Sequence, residues 1–139
     1  MKNIPHIYIV TPCFNAAKTL ENTIKSIISQ AGDFIIHYHI QDGKSTDNTS
    51  DILYYYSQLI NNKKYEHIYF TFTSEKDNGM YDAINKGFNS LSIPQNALMG
   101  WLNADDTLCP GVLEKLCSAA RAFPHFHWFG GIPLIIEEN

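Results

Sequence analysis

Carboxylates are concentrated in a few short polar segments of this sequence. Five of the eight aspartates lie in residues 42–47, 74–79 and 103–106. Carboxylates that lie close together repel one another, and a divalent cation or a set of hydrogen-bond donors offsets that repulsion. These segments therefore predict a site for a cation or for a ligand rich in donors, provided that the fold brings them together.

The pair Asp105-Asp106 carries the sharpest chemical signal. Neighbouring carboxylates can offer one oxygen to a hard cation and another to a ligand hydroxyl, which suits magnesium or manganese bridging a diphosphate. A second interpretation is that both residues only cap a helix that begins near Pro110. The segments at Asp42-Gly43 and Asp77-Asn78-Gly79 are also ordinary turn sequences, so turn formation stays open for both.

Histidine and cysteine give no comparable signal. The pairs His37/His39 and His125/His127 have the spacing of alternate strand positions, so we expect packing rather than metal binding. The three cysteines, Cys13, Cys109 and Cys117, include no CxxC pair and are expected to be reduced thiols, with Cys117 in a core. We do not expect Cys13 to act as a nucleophile, because no basic partner can be assigned to it.

Short apolar runs alternate with helical patterns along the chain. Strands are predicted at residues 7–11, 34–41, 68–73 and 97–102, and one or two more at residues 126–136. Four helices are predicted from their apolar stripes, which are Leu20/Ile24/Ile27/Ile28, Ile52/Tyr56/Leu59/Ile60, Tyr81/Ile84/Phe88/Leu91 and Val112/Leu113/Leu116/Cys117/Ala120. Ser45 is predicted to cap the second helix, and Pro110 to occupy the first position of the fourth.

Alternating strands and helices predict an α/β domain with a mainly parallel sheet and helices on both faces. The loops that leave the carboxyl ends of parallel strands meet at one edge, where ligands bind in such folds. All of the aspartate-rich segments follow predicted strands. We therefore expect them to converge on one rim of the sheet.

The composition of the 139 residues is that of a globular protein, with 45% hydrophobic and 17% charged residues. The net charge of -4 and the lack of a basic run argue against an electrostatic nucleic-acid surface. No apolar run reaches the length of a membrane span, and the N-terminus lacks a signal-peptide core. We expect a cytoplasmic protein, with association to a membrane left open.

Four segments in order resemble the successive motifs of family 2 glycosyltransferases with the GT-A fold. They are residues 9–15 (IVTPCFN), 41–49 (QDGKSTDNT), 74–87 (SEKDNGMYDAINKG) and 100–106 (GWLNADD), within a match that runs from about Ile7 to Leu116. The resemblance implies a Rossmann-like nucleotide-diphospho-sugar transferase fold. It also implies inverting, metal-dependent transfer of a hexosyl-type sugar from a nucleotide diphosphate donor, commonly a UDP-sugar, to an acceptor hydroxyl in cell-envelope polysaccharide or glycan synthesis.

Carried over by position, the resemblance implies a nucleotide-binding role for a set of residues at the rim. Thr11 and Pro12 would approach the nucleoside through their backbone, and Asp42 would bond the base. The other nucleotide-binding residues would be Asn15, Asp77, Gly79, Asn85 and Asp105. Asp106 would bind the Mg²⁺ or Mn²⁺ ion.

The sequence departs from the family pattern at two lysines and at its end. Lys44 replaces a small residue and Lys76 a frequent proline; either could favour a diphosphate or be a solvated loop lysine. The family's catalytic base lies well beyond the aspartate pair, so we assign none and expect residues 1–139 to be a single donor-binding domain without the acceptor part. Glu137 and Glu138 have no matching motif around them.

Three further expectations follow from these departures. Exposed aromatics at Phe126, Trp128 and Phe129 would favour self-association. The missing base leaves open a non-catalytic nucleotide-binding module. A nucleotidyltransferase or phosphatase on a similar sheet is a third class, disfavoured because the sequence has no GxxxxGK[ST] loop.

Overall fold

The computed structural model describes residues 4–135, apart from the side chains of residues 63 and 64. Its strands are β1 (His6–Cys13), β2 (Ile35–Asp42), β3 (Ile68–Ser74) and β4 (Leu98–Trp101). Its α-helices are α1 (Leu20–Ile28), α2 (Thr49–Leu59), α3 (Met80–Asn89) and α4 (Val112–Ala122). A π-helical turn, Ile60–Lys64, extends α2.

The four strands form one parallel sheet in the order β3-β2-β1-β4. β1 pairs with β2 along its whole length, from His6 opposite Ile35 to Cys13 opposite Asp42. β4 is shorter and pairs with β1 only as far as Val10 opposite Trp101. All four strands therefore end at the same edge, and the predicted α/β fold with a parallel sheet is confirmed.

Helices cover both faces of this sheet. The larger core lies on the face that carries Ile9 and Tyr38, where α1, α2 and α4 bury their apolar stripes. On the opposite face α3 packs so closely that a Cβ at Gly87 would lie 2.6 Å from Val10 Cγ1. Only glycine allows that approach, so the C-terminal half of α3 is held against the middle of β1.

The two predicted helix starts are wrong by a few residues. Helix α2 begins at Thr49 with Asn48 as its N-cap, because Ser45 uses its hydroxyl within the loop after β2. Helix α4 begins at Val112, and its N-cap Gly111 adopts a left-handed conformation with φ 76°. That conformation favours glycine and places Pro110 before the helix rather than in its first turn.

The strands predicted at residues 126–136 are not formed in residues 126–135, and Ile136 lies outside the described residues. This segment has no regular secondary structure and is largely exposed, with Trp128 at 86% and Ile132 at 95% of full exposure. Gly130-Gly131 and Pro133 weaken strand pairing, and no strand of the described sheet hydrogen-bonds to it. The exposure expected for Phe126 and Trp128 is confirmed, whereas Phe129 is half-buried. Self-association stays a prediction.

Candidate functional site

The loop after β1 is joined to the loop after β2 through Asn15. Asn15 adopts φ 50°, and its Oδ1 accepts hydrogen bonds from the backbone N–H groups of Thr46 at 2.8 Å and Asp47 at 3.3 Å. Its own N–H donates to Ser45 Oγ at 2.7 Å. The Asn15 side chain therefore links the loops after β1 and β2. Its Oδ1 makes these internal hydrogen bonds, although the family resemblance implies that Asn15 binds the nucleotide.

Asp47 links the segment before α1 to the start of α2 through hydrogen bonds. Its carboxylate accepts hydrogen bonds from the N–H groups of Ala17 at 3.1 Å and Thr49 at 3.0 Å. A further bond from the Thr49 hydroxyl is the main reason that the pKa of Asp47 is lowered. The Thr49 hydroxyl also accepts from Ala16 N at 3.0 Å. These contacts give the loops after β1 and β2 a fixed relative position.

Asp42 is buried at the end of β2, with only 1% of its surface exposed. Its Oδ1 accepts from Ser45 Oγ and from Cys13 Sγ, the latter at 3.6 Å, and its Oδ2 accepts from Ser74 Oγ at 2.6 Å. Ser45 N also donates to the carboxylate, at 3.1 Å from Oδ2. One carboxylate therefore holds the loops that follow β1, β2 and β3.

The Cys13 thiol is part of this arrangement rather than a reactive group. It is buried, and burial together with the Asp42 carboxylate raises its pKa well above the usual range of a thiol. The thiol stays protonated and donates to Asp42. This agrees with the expectation that Cys13 is not a nucleophile, since nucleophilic attack requires the thiolate.

A cleft lies between the loops after β1, β2 and β3. Its inner cavity of about 190 Å³ reaches the start of α3 and is lined by Pro12, Cys13, Phe14, Asp77, Gly79, Met80 and Ala83. Its outer cavity of about 440 Å³ is lined by Phe14, Gly43, Lys44, Thr46, Lys76 and Asp77. The two cavities share Phe14 and Asp77, so they adjoin one another at the carboxyl ends of the strands.

Phe14 is an apolar wall of this cleft that the sequence analysis did not single out. Phe14 is 62% exposed although it follows the buried end of β1. An exposed aromatic ring that borders two cavities offers a flat surface for a planar ligand group. The only signal in the sequence is its place between Cys13 and Asn15 in a loop after a strand.

Asp77 and two glycines shape the centre of the cleft. Asp77 Oδ1 accepts from Gly79 N at 2.9 Å, and Gly79 is the N-cap of α3 with φ 108°. A Cβ at Gly43 would lie 2.6 Å from Asp77 Oδ2, so glycine lets the carboxylate approach this closely. One oxygen of Asp77 thus accepts a hydrogen bond from Gly79 N, and the other lies against Gly43.

Asp105 and Asp106 lie on the loop after β4, on the same rim, but line neither cavity. Both are exposed. The loop is anchored by Thr23 on α1, whose buried hydroxyl lies 2.9 Å from Ala104 O and 2.8 Å from Asp106 O. Ser26 on the same helix binds Leu108 N, and Gln30, two residues after the helix ends, binds Cys109 O, both at 3.0 Å.

This polar cluster, on α1 and just after it, was missed by the sequence analysis. Thr23 and Ser26 lie on one side of α1 at i and i+3, and Gln30 follows two residues after the helix ends. Thr23 is fully buried and Gln30 is 2% exposed. The sequence shows these polar residues, but the helix was predicted from its apolar residues alone. The hydrogen-bond partners of the polar groups lie about eighty residues further along the chain, so the sequence did not indicate them.

The residues of the loop after β4 fit a hard divalent cation. Asp106 Oδ2 accepts from Asn103 Nδ2 at 3.1 Å, and the buried Asn103 Oδ1 has no hydrogen-bond partner within the described residues. Carboxylate and amide oxygens are the donors that Mg²⁺ and Mn²⁺ prefer. In residues 4–135 no three His, Cys, Asp or Glu side chains converge as a metal site, so diphosphate and water would supply the remaining ligands.

Two predicted nucleotide-binding residues lie outside the cleft in this structure. Thr11 is fully buried, and its hydroxyl lies 3.0 Å from the Tyr38 hydroxyl within the core. Asn85 is exposed on α3, half a helical turn away from Ala83, which lines the inner cavity. Pro12, Asp77 and Gly79 line the cleft. Asn15 and Asp42 line neither cavity, and their hydrogen bonds hold the loops that form it.

Pro12 is accommodated in a central strand because β4 ends early. Val10 O bonds Leu102 N on the β4 side, and alternate residues of a strand point to the same side. The nitrogen of Pro12 therefore also faces the β4 side. It lies beyond the last pair of β1 with β4, Val10 with Trp101, so the sheet needs no N–H donor there. Pro12 can therefore line the inner cavity without the loss of a hydrogen bond of the sheet.

His37 and His39 pack, as expected from their spacing. His37 stacks on Tyr8 with ring centroids 4.2 Å apart, and its Nε2 lies 2.9 Å from His6 Nδ1. His39 is buried, and its two ring nitrogens lie 2.8 Å from Thr71 Oγ1 and 3.2 Å from Gln41 Oε1. The expectation of packing is wrong for His125 and His127, which are exposed in the segment after α4.

None of the helices in the described part of the chain has both the length and the apolar character needed to cross a bilayer.

Comparison with known proteins relates this fold to sugar transferases. The sequence profile "Glycosyl transferase family 2" matches residues 8–138. The chain is 31% identical over 115 residues to the putative teichuronic acid biosynthesis glycosyltransferase TuaG of Bacillus subtilis (strain 168). That alignment covers 80% of this chain and 40% of TuaG, so the chain spans about two fifths of this curated relative.

Solved structures of S. aureus TarS share the fold. One superimposes with a TM-score of 0.67 at 15% identity, covering 85% of this chain and 20% of that one. The structure of TarS 1-349 in complex with UDP-GlcNAc gives 0.67 at 16% identity, covering 85% and 32%. At this identity the likeness establishes the GT-A-like fold alone. Since the family profile covers nearly the whole sequence, the chain belongs to glycosyl transferase family 2.

Proposed function

We propose that this chain is the nucleotide-sugar-binding domain of an inverting glycosyltransferase that uses a UDP-sugar as donor. The observation that carries this proposal is the cleft between the loops after β1, β2 and β3, with an aromatic wall at Phe14 and a carboxylate at Asp77. The Asp105-Asp106 loop lies on the same rim beside β1. In parallel α/β sheets this edge is where nucleotides bind.

The relatives support a nucleotide-sugar donor. TarS, which shares the fold, has been solved in complex with UDP and with UDP-GlcNAc. TuaG is named for teichuronic acid biosynthesis, which supports a role for this chain in cell-envelope polysaccharide synthesis with a glycan or lipid-linked acceptor. We extend both properties to this chain as part of the proposal, with a hexosyl group as the sugar that is transferred.

The domain would take a divalent cation at the loop after β4. Asp106 would bind Mg²⁺ or Mn²⁺, Asp105 would face the ribose or phosphate side of the donor, and Asn103 would orient Asp106 through its amide. The ion, when bound, offsets the negative charge that grows on the departing nucleoside diphosphate. The hydrogen bonds from Thr23 to the loop backbone would keep these carboxylates in position as that charge develops.

In an inverting transfer the acceptor hydroxyl attacks the anomeric carbon from the face opposite the nucleoside diphosphate. The new C–O bond forms as the bond to the diphosphate oxygen breaks, and a general base takes the hydroxyl proton. We assign no residue of this chain as that base; Glu137 and Glu138 lie outside the described residues. The proposal for this chain is therefore donor binding, with residues 1–139 acting as a single domain.

Calorimetric titration of UDP into the chain with and without Mn²⁺ tests this proposal. We expect UDP to bind more tightly with Mn²⁺, and Asp106→Asn to remove that increase. The matched control is Asp51→Asn, an exposed aspartate on α2 that lines neither cavity. A wild-type chain that binds no UDP under either condition would refute the proposal, and binding without any effect of Mn²⁺ would refute its metal part.

A non-catalytic nucleotide-binding module is the alternative, and it predicts the same titration result. The two differ in turnover. Release of UDP from a UDP-sugar by a protein that contains this domain together with an acceptor part would support the transferase, and binding without release would favour the module.

A further inference from the structure

The pair Asn78-Gly79, in the loop between β3 and α3, has a chemistry that the proposed function does not use. Asn78 is the only asparagine of the 139 residues that is followed by glycine. Both residues are exposed, and a Cβ built on Gly79 would meet no described atom within 4 Å beyond its chain neighbours. Without a Cβ, the Gly79 nitrogen has little steric cover, so the Asn78 side chain can reach it.

The reaction open to such a pair is deamidation. Gly79 N loses its proton to hydroxide and attacks Asn78 Cγ, and the bond from Cγ to the side-chain nitrogen breaks as ammonia leaves. Water then opens the resulting succinimide at either carbonyl, which leaves aspartate or isoaspartate at position 78. One amide and one water give one carboxylate and one ammonium, so no oxidant or reductant is needed. The attacking and attacked groups belong to adjacent residues, and such proximity favours the intramolecular attack.

The fold engages the nitrogen that would have to attack. Gly79 N donates a hydrogen bond to Asp77 Oδ1 at 2.9 Å. A carboxylate beside an N–H opposes loss of its proton, because the anion formed would lie against a second negative charge. Gly79 is also the N-cap of α3 with φ 108°, and its carbonyl accepts from Ala83 N at 3.1 Å. The Gly79 N–H must therefore leave Asp77 before its nitrogen can attack.

We propose that Asn78 is a deamidation site of this protein and that Asp77 sets the rate by holding the Gly79 N–H. The hydrogen bond lies at the exposed surface, so it opens in the folded chain without global unfolding. Deamidation proceeds from that minor open population. Asp77 therefore slows a covalent change of its own loop, whether or not a ligand is bound.

Conversion at position 78 alters the cleft. Asp77 and Gly79 both line the inner cavity, and isoaspartate inserts one extra methylene into the backbone between them. A new carboxylate also appears on the residue whose N–H donates to Asp82 Oδ2 at 2.9 Å, and like charges repel there. We expect the converted chain to bind UDP more weakly, and this consequence alone rests on the proposed function.

Mass spectrometry of the complete chain, incubated at mildly alkaline pH, tests the site. Trypsin releases residues 77–86 as one peptide, which holds Asn78 and, as an internal control, the exposed Asn85 that precedes Lys86. We expect conversion at Asn78 and not at Asn85. In urea the hydrogen bond from Gly79 is absent, so Asn78 should convert at least about tenfold faster than in the folded chain. No conversion at Asn78 in urea would overturn the proposal.

Asp77→Ala and Asp82→Ala form a matched pair of variants. Each removes one carboxylate of the same loop region, and each removed carboxylate accepts one backbone N–H at 2.9 Å, from Gly79 and from Asn78 respectively. Asp77→Ala should speed conversion of Asn78 in the folded chain about tenfold, since one hydrogen bond to a charged group is lost. Asp82→Ala should leave the rate close to that of the wild type, because the Gly79 N–H stays engaged.

Two results would overturn the role of Asp77. Equal acceleration by both variants would show that general loosening of the loop sets the rate. Slower conversion in Asp77→Ala would show that the carboxylate acts as a base and promotes the attack. Circular dichroism of each variant confirms that the comparison is made between folded chains.

The effect on the cleft is measured separately. Anion-exchange chromatography separates the converted chain, which carries an extra negative charge, and both forms are titrated with UDP in the presence of Mn²⁺. Equal affinity of the two forms would overturn the link to the cleft and leave the deamidation site standing. If neither form binds UDP, the proposed function fails, whereas the mass-spectrometric result still decides the site.

Discussion

The hydroxyl of Thr23 is predicted to hold the aspartate-bearing loop, and Thr23→Val tests this with little change in shape. Thr23 is fully buried, and its Oγ1 lies 2.9 Å from Ala104 O and 2.8 Å from Asp106 O. Valine fills the same volume and has a similar helix propensity, so the substitution removes the donor alone. Two backbone carbonyls then lose their shared partner.

The expected loss of stability follows from the two carbonyl groups that are left without a hydrogen-bond donor. A buried polar group left unpaired costs about 1–3 kcal/mol, and one of the two carbonyls is only partly buried, so we expect about 2 kcal/mol in the free energy of unfolding. For a chain of 139 residues this corresponds to a fall in Tm of about 6–8 °C. Binding of UDP with Mn²⁺ should also weaken, because the backbone of Asp106 is released.

Urea denaturation followed by circular dichroism measures the change in stability, and calorimetry measures the change in affinity. The matched control is Thr107→Val in the same loop, where the threonine is exposed and its hydroxyl makes no hydrogen bond to the described residues. That control should stay within about 0.5 kcal/mol of the wild type. If Thr23→Val destabilised the chain no more than Thr107→Val, the hydroxyl would not be what anchors the loop.

Two further predictions concern titratable groups. Burial, and then His6, lowers the pKa of His37, so the unfolded chain takes up the proton first and stability falls as the pH drops from about 6.5 through the lowered pKa. His37→Phe should lose less stability than the wild type between pH 7 and pH 5 in urea denaturation, and an equal loss would contradict this. Among the three thiols Cys109 is exposed, whereas burial raises the pKa of Cys13 and Cys117, so iodoacetamide should label Cys109 alone in the folded chain. Mass spectrometry gives the sites, and rapid labelling of Cys13 without urea would show that its contact with Asp42 is not stable.

The elements that carry strong periodicity were predicted well. The buried strand β2 and the stripe Leu20, Ile24, Ile27 and Ile28 on α1 are present close to their predicted bounds. Their apolar residues have one low-energy location, the sheet core, so local sequence is enough to place them. The parallel order followed from the alternation of strands and helices.

Helix starts and the C-terminal segment were predicted less well, for a common reason. Ser45 looks like a cap, yet its hydroxyl is used by Asp42, a partner on the preceding strand. Residues 126–135 look like strands, yet they pair with neither edge of the described sheet, and Gly130-Gly131 and Pro133 weaken such pairing. Whether a residue or segment engages a distant partner decides both cases, and a single segment does not contain that information.

The sequence by itself determined the family, the parallel fold and the rim on which the aspartates gather, because motif order and hydrophobic period are local properties. Only the tertiary structure decided which of those aspartates hold the loops and which line the cleft. Asp42 and Asp77 look alike as turn carboxylates, but Asp42 is enclosed by Cys13, Ser45 and Ser74, and Asp77 keeps an oxygen in the cleft because Gly43 leaves room for it. Burial and hydrogen-bond saturation depend on neighbours from other loops, and these come together only in the folded chain.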